Sequence, residues 1–301
     1  MATGGVALLL SSQPHTFHGL ETIGIVIFII DLVFFLLVCA GLATRFMRTP
    51  SALRASLTHP TESLFMPTFL LSIPSIIGCM QRYGVPRTGY WLVVVVRILF
   101  WIYLAVSFIT AVAQYLQLFI GNTKLTIKSM TPSWLLPIFP AMLSGTVASI
   151  ISVDQPPYQR MPILVAGLTM QGLGFWTAIV IYAMFLSRLI MYGVPDANLR
   201  PGLFISVGPP AFTGLALIGM SRAIPAYYGF FAAHPTAATT LTTMATTFAI
   251  FIWSLAFFFF CISAASCFMA FRRMKYHLVW NAFVFPNVSR YSSERTPATA
   301  N

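Results

Sequence analysis

The segment Leu203-Phe204-Ile205-Ser206-Val207-Gly208-Pro209-Pro210-Ala211-Phe212-Thr213-Gly214-Leu215-Ala216-Leu217-Ile218-Gly219-Met220 combines two properties. It is apolar over about the 20 residues that a helix needs to cross hydrocarbon, and it carries two adjacent prolines in its interior. Proline has no amide N–H and crowds the carbonyl one turn back. It therefore leaves a backbone acceptor that lipid cannot satisfy and a water-filled cavity can. Outward from this segment the chain is a succession of similar runs. Complete spans are expected at about 19–44, 61–81, 89–120, 133–153, 161–191, 203–223 and 239–271. A half-helix at 1–12 precedes these seven, and another at 278–287 follows them, ahead of a polar tail at 288–301. Composition points the same way. Of 301 residues, 58% are apolar and 8% charged, whereas a soluble domain carries about 25% charged residues to coat its surface. The expected fold is an all-α polytopic membrane protein, one domain over 1–287.

Proline placement adds a repeat. With the first fragment counted as helix 1, Pro67 and Pro74 interrupt helix 3, Pro137 and Pro140 helix 5, Pro209 and Pro210 helix 7, and Pro286 helix 9. Helices 2, 4 and 8 have none in their interiors. Pro67, Pro140, Pro209 and Pro286 are spaced by 73, 69 and 77 residues, the length of a repeating helical hairpin. Odd-numbered helices are expected to line a central pore, with even-numbered ones around them. The competing reading is that the prolines are packing kinks. Gly4, Gly5, Gly78, Gly145, Gly208, Gly214 and Gly219 lie on odd helices, but helix 6 also has Gly167, Gly172 and Gly174, so glycine does not separate the two sets. Hydroxyls on odd helices, among them Thr68, Ser72, Ser75, Ser144, Thr146, Ser206 and Thr213, suit either hydrogen bonding to a desolvated anion or helix-to-helix bonding.

The net charge of +11 does not indicate nucleic acid, because the basic residues fall in short breaks between apolar runs. Arg45, Arg48, Arg54, Lys124, Lys128, Arg188, Arg200, Arg272, Arg273 and Lys275 occupy one set of breaks; Arg82, Arg87, Arg160 and Arg222 occupy the other. The richer set is expected to be cytoplasmic, with odd helices running outward. Arg82 and Arg222, at the outer ends of helices 3 and 7, are candidates for attracting an organic anion or are snorkelling interfacial arginines. Asp31 and Arg97 lie deepest within helices 2 and 4 and are expected to make a structural ion pair or hydrogen bond, with substrate contact as the alternative. His59 and Glu62, three residues apart around Pro60, either exchange a proton at the mouth of the path or cap helix 3. Met1–Leu10 lacks the basic segment of a secretory signal and reads as the rear of a helix. Four cysteines and five histidines lack metal-ligand spacing, and no phosphate-binding glycine loop is present. No enzyme, metal or cofactor is expected.

His59-Pro60-Thr61-Glu62-Ser63-Leu64-Phe65 followed by Pro67-Thr68, Val207-Gly208-Pro209-Pro210-Ala211-Phe212-Thr213, and Phe283-Val284-Phe285-Pro286-Asn287 resemble motifs of the fungal malic acid transport proteins. These belong to the tellurite-resistance and dicarboxylate transporter family, which includes the plant slow anion channels. The resemblance covers about residues 1–287. It implies ten helices as five hairpins around a central pore, of which this sequence holds seven complete helices and partial first and ninth helices. It also implies transport of malate and related C4-dicarboxylates, coupled to protons, across the plasma membrane, and, from the channel branch, a homotrimer. It makes Phe285 the aromatic gate, and places His59, Glu62 and Gly208–Thr213 on the permeation path. A passive inorganic-anion or sulfite channel or exporter, and a fragment that does not transport, stand as alternatives.

Overall fold

The computed structural model describes residues 1–49, 51, 63–121, 126–276 and 279–280. All regular structure among them is helical. The principal helices are α1 (Ala2–Ser11), α2 (Leu20–Arg48), α3 (Ser72–Cys79), α4 (Tyr90–Ile120), α5 (Phe139–Ile151), α6 (Pro157–Tyr192), α7 (Gly208–Arg222) and α8 (Pro235–Ala270). A π turn at Met80–Gly84 carries α3 into a last turn, Val85–Thr88. Gly89, at φ 121°, then reverses the chain directly into α4, a conformation open to glycine because it has no Cβ.

The even helices are long, and each buries only a narrow stripe. On α8 that stripe is Ala249, Ile252, Ala256, Phe259, Ser263, Ser266 and Ala270, alternating steps of three and four. On α4 it includes Val93, Val96, Phe100, Tyr103, Ser107, Ala111 and Gln114. This seven-residue repeat is a helix-packing seam, and the faces outside it are large and apolar, as lipid requires. Threonines near the start of α8 return their hydroxyls to carbonyls four residues back, as Thr240 does to Thr236 at 2.9 Å, so their polarity is satisfied within the helix.

The odd helices α5 and α7 are buried along almost their whole length. Consecutive helices pack as hairpins, α1 on α2, α3 on α4, α5 on α6 and α7 on α8, while α1, α3, α5 and α7 also touch in that order. Each even helix from α2 to α6 bridges to the next odd one. An inner row of odd helices therefore stands behind an outer row of even ones. Close approach depends on glycine: a Cβ on Gly174 would stand 2.5 Å from Met142 Cβ, and one on Gly167 would collide with Ala148.

Among the described residues, six helical stretches have the length and apolarity to cross a bilayer. The run expected at 133–153 is not among them: Pro132–Leu135 is 3-10 helix, and the α-helix begins only at Phe139, past Pro137. Helix α2 runs to Arg48, beyond the expected 44, with Arg45 and Arg48 complementing the negative helix end. Helices α6 and α8 start several residues before their apolar runs, each with proline in the first turn, where its missing N–H costs no bond.

Candidate functional site

Each of α3, α5 and α7 is approached through 3-10 helix: Ser63–Thr68, Pro132–Leu135 and Ala197–Val207. Prolines within or just after these segments, Pro67, Pro137, Pro201, Pro209 and Pro210, prevent regular α-helical bonding there. Outer helices supply the missing donors. Gln114 Nε2 on α4 donates to Ser63 O at 3.0 Å, Tyr115 OH on α4 to Trp134 O at 3.1 Å, and Tyr182 OH on α6 to Ser206 O at 2.8 Å. The three acceptors fall 71 and 72 residues apart, in step with the hairpin repeat. Ser63 and Ser206 lie four residues before Pro67 and Pro210, so their carbonyls are ones that proline frees. The carbonyls of Leu70 and Ser133, four before Pro74 and Pro137, take 3-10 bonds from Ile73 N at 3.2 Å and Leu136 N at 3.0 Å. These freed carbonyls thus meet protein donors in place of the cavity water expected of them, because α4 and α6 bring hydroxyls and an amide within reach.

Just beyond the change from 3-10 to α lies a polar junction of α5, α6 and α7. Gln171 of α6, 1% exposed, donates from Nε2 to Thr213 Oγ1 of α7 at 2.8 Å. Thr213 passes its own proton to Pro209 O at 2.7 Å. The amide crosses α5 over Gly145, where a Cβ would sit 2.5 Å from Gln171 Oε1. Gln171 Oε1, Ser144 Oγ and Thr146 Oγ1 are buried, and none has a hydrogen-bond partner among the described residues. On the approach side, Phe139 and Phe212 meet edge to face with centroids 5.8 Å apart, and Gly208 passes so closely that a Cβ would lie 2.5 Å from Phe139 Cζ. Uncharged hydroxyl and amide groups in a buried setting can replace part of an anion's hydration without holding it as a fixed charge would.

Gly208, Pro209, Pro210 and Thr213 therefore lie together at the start of α7, and Ser144 lies on α5 next to the Gly145 over which the Gln171 amide crosses. Thr68 and Ser72 are partly exposed at the start of α3, where the Thr68 hydroxyl donates to Phe65 O at 2.6 Å and Ser72 O accepts from Ser75 Oγ at 2.8 Å. Arg82 and Arg222 are exposed at the opposite ends of their helices; Arg222 lies nine residues past Thr213, about 13 Å along the axis. His59, Glu62 and Phe285 lie outside the described residues. Asp31 and Arg97 do not pair with each other: Asp31 Oδ1 meets the Met1 amino group at 3.3 Å, and Arg97 Nη1 reaches Gln155 Oε1 at 3.4 Å. The sequence reading passed over Gln114 and Gln171. Their signal is a lone amide in an apolar span, for Gln171 flanked on its own face by Gly167 and Gly174.

Residues 1–291 match the SLAC1 voltage-dependent anion channel family. The malic acid transport protein of Schizosaccharomyces pombe is 39% identical over 291 residues, which cover 96% of this chain and 66% of that protein. A putative malic acid transport protein of the same organism is 38% identical, covering 96% and 67%. The sulfite efflux pump SSU1 of Trichophyton rubrum is 30% identical over 297 residues, covering 95% and 76%. The chain thus spans about two-thirds of the length of the two malic acid relatives. With the match running through every helix of the inner and outer rows, the chain belongs to the SLAC1 voltage-dependent anion channel family.

Proposed function

We propose that this protein carries malate and related C4-dicarboxylates across a membrane, with proton coupling, along a path lined by α1, α3, α5 and α7. The observation that carries the reading is the set of unpartnered groups at the α5–α6–α7 junction. A buried hydroxyl without a partner costs stability, about 1–3 kcal/mol, and Ser144 Oγ on α5, one residue before the Gly145 that Gln171 crosses, is such a donor. A carboxylate passing the junction accepts from that hydroxyl. Prolines and a change of helical form at mid-span support the same location, since interrupted helices mark substrate sites in transporters. Arg82 and Arg222, exposed at the outer ends of α3 and α7, concentrate the dianion near the path. His59 and Glu62 stay candidates for proton exchange at the inner mouth, Phe285 for the gate, the plasma membrane for the location and a homotrimer for the assembly.

Uptake of labelled malate by proteoliposomes tests this. Malate is expected to enter faster with an inward proton gradient. Ser144→Ala is expected to lower uptake severalfold while leaving the protein at least as stable, because the variant removes an unsatisfied polar group. Uptake by Ser144→Ala equal to the parent rate would remove the junction from the path. The 30% identity to a sulfite efflux pump supports a second reading, an inorganic-anion exporter or channel. Sulfite flux exceeding malate flux, with no response to the proton gradient, would favour it.

A further inference from the structure

Two arginines hold the short link 193–196 that joins α6 to the 3-10 approach of α7. Arg188, in the last turns of α6, donates from Nη1 to Gly193 O. Arg200 donates from Nε to Pro195 O at 3.1 Å and from Nη1 to Ser266 O, near the end of α8, at 2.9 Å. Asn198 Oδ1 accepts the backbone N–H of Lys275 at 2.8 Å, which ties the turn after α8 to the same approach. Five positive charges, Arg188, Arg200, Arg272, Arg273 and Lys275, are thereby gathered at one end of the bundle from two different hairpins.

Among the described residues no acidic side chain lies within ion-pair distance of any of the five, and Asp196, in the link itself, is exposed and pairs with none of them. Part of the charge answers backbone, since Gly193 O and Ser266 O belong to the negative ends of α6 and α8. A guanidinium has five N–H groups, however, and the partly exposed Arg200 spends two of them. Arg188 is 8% exposed, and its Nε is buried with no partner, so it stands behind the link as a charge without a counter-ion. Arg272, Arg273 and Lys275 are exposed. The flanks of this end are apolar: Phe268 and Met269 of α8 are 85% and 81% exposed, and Ile190 of α6 is 85% exposed. Tyr192 and Tyr276, exposed and next to the charges in the chain, have the amphipathic rings that suit a membrane interface. Unneutralised charge at the tip, with bare apolar flanks below it, is complementary to a molecule with an anionic head and hydrocarbon tails.

We propose that this end of the bundle binds an anionic phospholipid of the surrounding bilayer. Its phosphate is received by Arg200 and by the exposed Arg272, Arg273 and Lys275, and its acyl chains lie along Phe268, Met269 and the end of α6. Arginine suits the task because its planar fork meets two phosphate oxygens at once. Arg188 makes no contact with the lipid; its uncompensated charge raises the positive potential around the link. The bound head group joins the end of α8 to the approach of α7. The site lies at the far end of that approach from the polar junction at Thr213, and it does not depend on which solute the protein carries.

Native mass spectrometry of the purified 301-residue chain in detergent tests this, with phosphatidylserine and phosphatidylcholine of identical acyl chains added in equal amounts. The parent is expected to retain phosphatidylserine about tenfold over phosphatidylcholine. The triple variant Arg272→Gln, Arg273→Gln, Lys275→Gln is expected to lose that preference and to keep its retention of phosphatidylcholine. The double variant Arg45→Gln, Arg48→Gln removes exposed basic residues from the end of α2 and is expected to leave the preference in place. Glycerol 3-phosphate and malate carry negative charge without tails, and neither is expected to displace phosphatidylserine at millimolar concentration. Equal retention of the two lipids by the parent overturns the proposal. So does a loss in the Arg45, Arg48 variant as large as in the triple variant, which would mark a general attraction to basic residues and no site. Displacement by glycerol 3-phosphate or malate also overturns it, by giving these charges to a soluble anion. Should the triple variant not fold, the two-lipid comparison and the displacement experiment on the parent decide.

Discussion

Removing one hydroxyl from Tyr182 tests the account of how proline is accommodated in the inner row. The carbonyl of Ser206 faces Pro209 three residues on and Pro210 four residues on, so neither a 3-10 nor an α-helical N–H exists for it. Its donor is Tyr182 OH, at 2.8 Å from a fully buried position. Tyr182→Phe keeps the ring, which packs on Phe259 with centroids 4.6 Å apart, and so opens no cavity. What remains is a buried carbonyl without a donor, and the expected loss is about 1–3 kcal/mol. Pro210→Ala restores an N–H at the α-helical position for that same carbonyl. In the Tyr182→Phe background it is expected to recover about 1 kcal/mol or more, a coupling well above the few tenths seen between independent sites. Reversible unfolding of purified protein in mixed micelles, followed by circular dichroism across the four members of the cycle, measures both quantities. Tyr182→Phe within about 0.5 kcal/mol of the parent, the range of inconsequential surface changes, would refute the reasoning. So would a double variant no more stable than Tyr182→Phe alone.

Gln114→Leu is expected to cost less than Tyr182→Phe, about 1 kcal/mol or below, because Met66 still has an N–H three residues beyond Ser63 to close a 3-10 bond; the same unfolding measurement checks it. Gly145→Ala drives a methyl to within 2.5 Å of Gln171 Oε1 and 2.7 Å of its Cβ and is expected to destabilise by about 1–3 kcal/mol through overpacking; Gln171→Ala in the same chain is not expected to relieve it, because alanine keeps that Cβ, and the same unfolding measurement checks both. Arg82→Ala and Arg222→Ala are expected to raise the malate concentration for half-maximal uptake at low ionic strength. That difference is expected to vanish near 1 M salt, where the screening length is about 3 Å; proteoliposome uptake at two salt concentrations tests it.

Some of this protein was legible along the chain because bilayers impose simple conditions. Apolar length marked most of the spans, and the prolines at the start of α5 and α7 stand on the segments that the fold buries, although Pro162 lies inside α6 and is exposed. Pro209 and Pro210 on the buried α7 contrast with the proline-free interior of the lipid-facing α8. The faces of the even helices were not legible in the same way. Lipid is as apolar as a protein interior, so hydrophobic periodicity carries little information about which side of α4 or α6 turns inward. The partners of the freed carbonyls were hidden for a different reason. Ser63 and Gln114 are 51 residues apart, Asp31 and Met1 30, and Gln171 and Thr213 42. A single sequence shows that an acceptor has been freed or a charge buried. Which donor answers it depends on the rotation and depth at which two distant helices pack, and only the tertiary structure sets those.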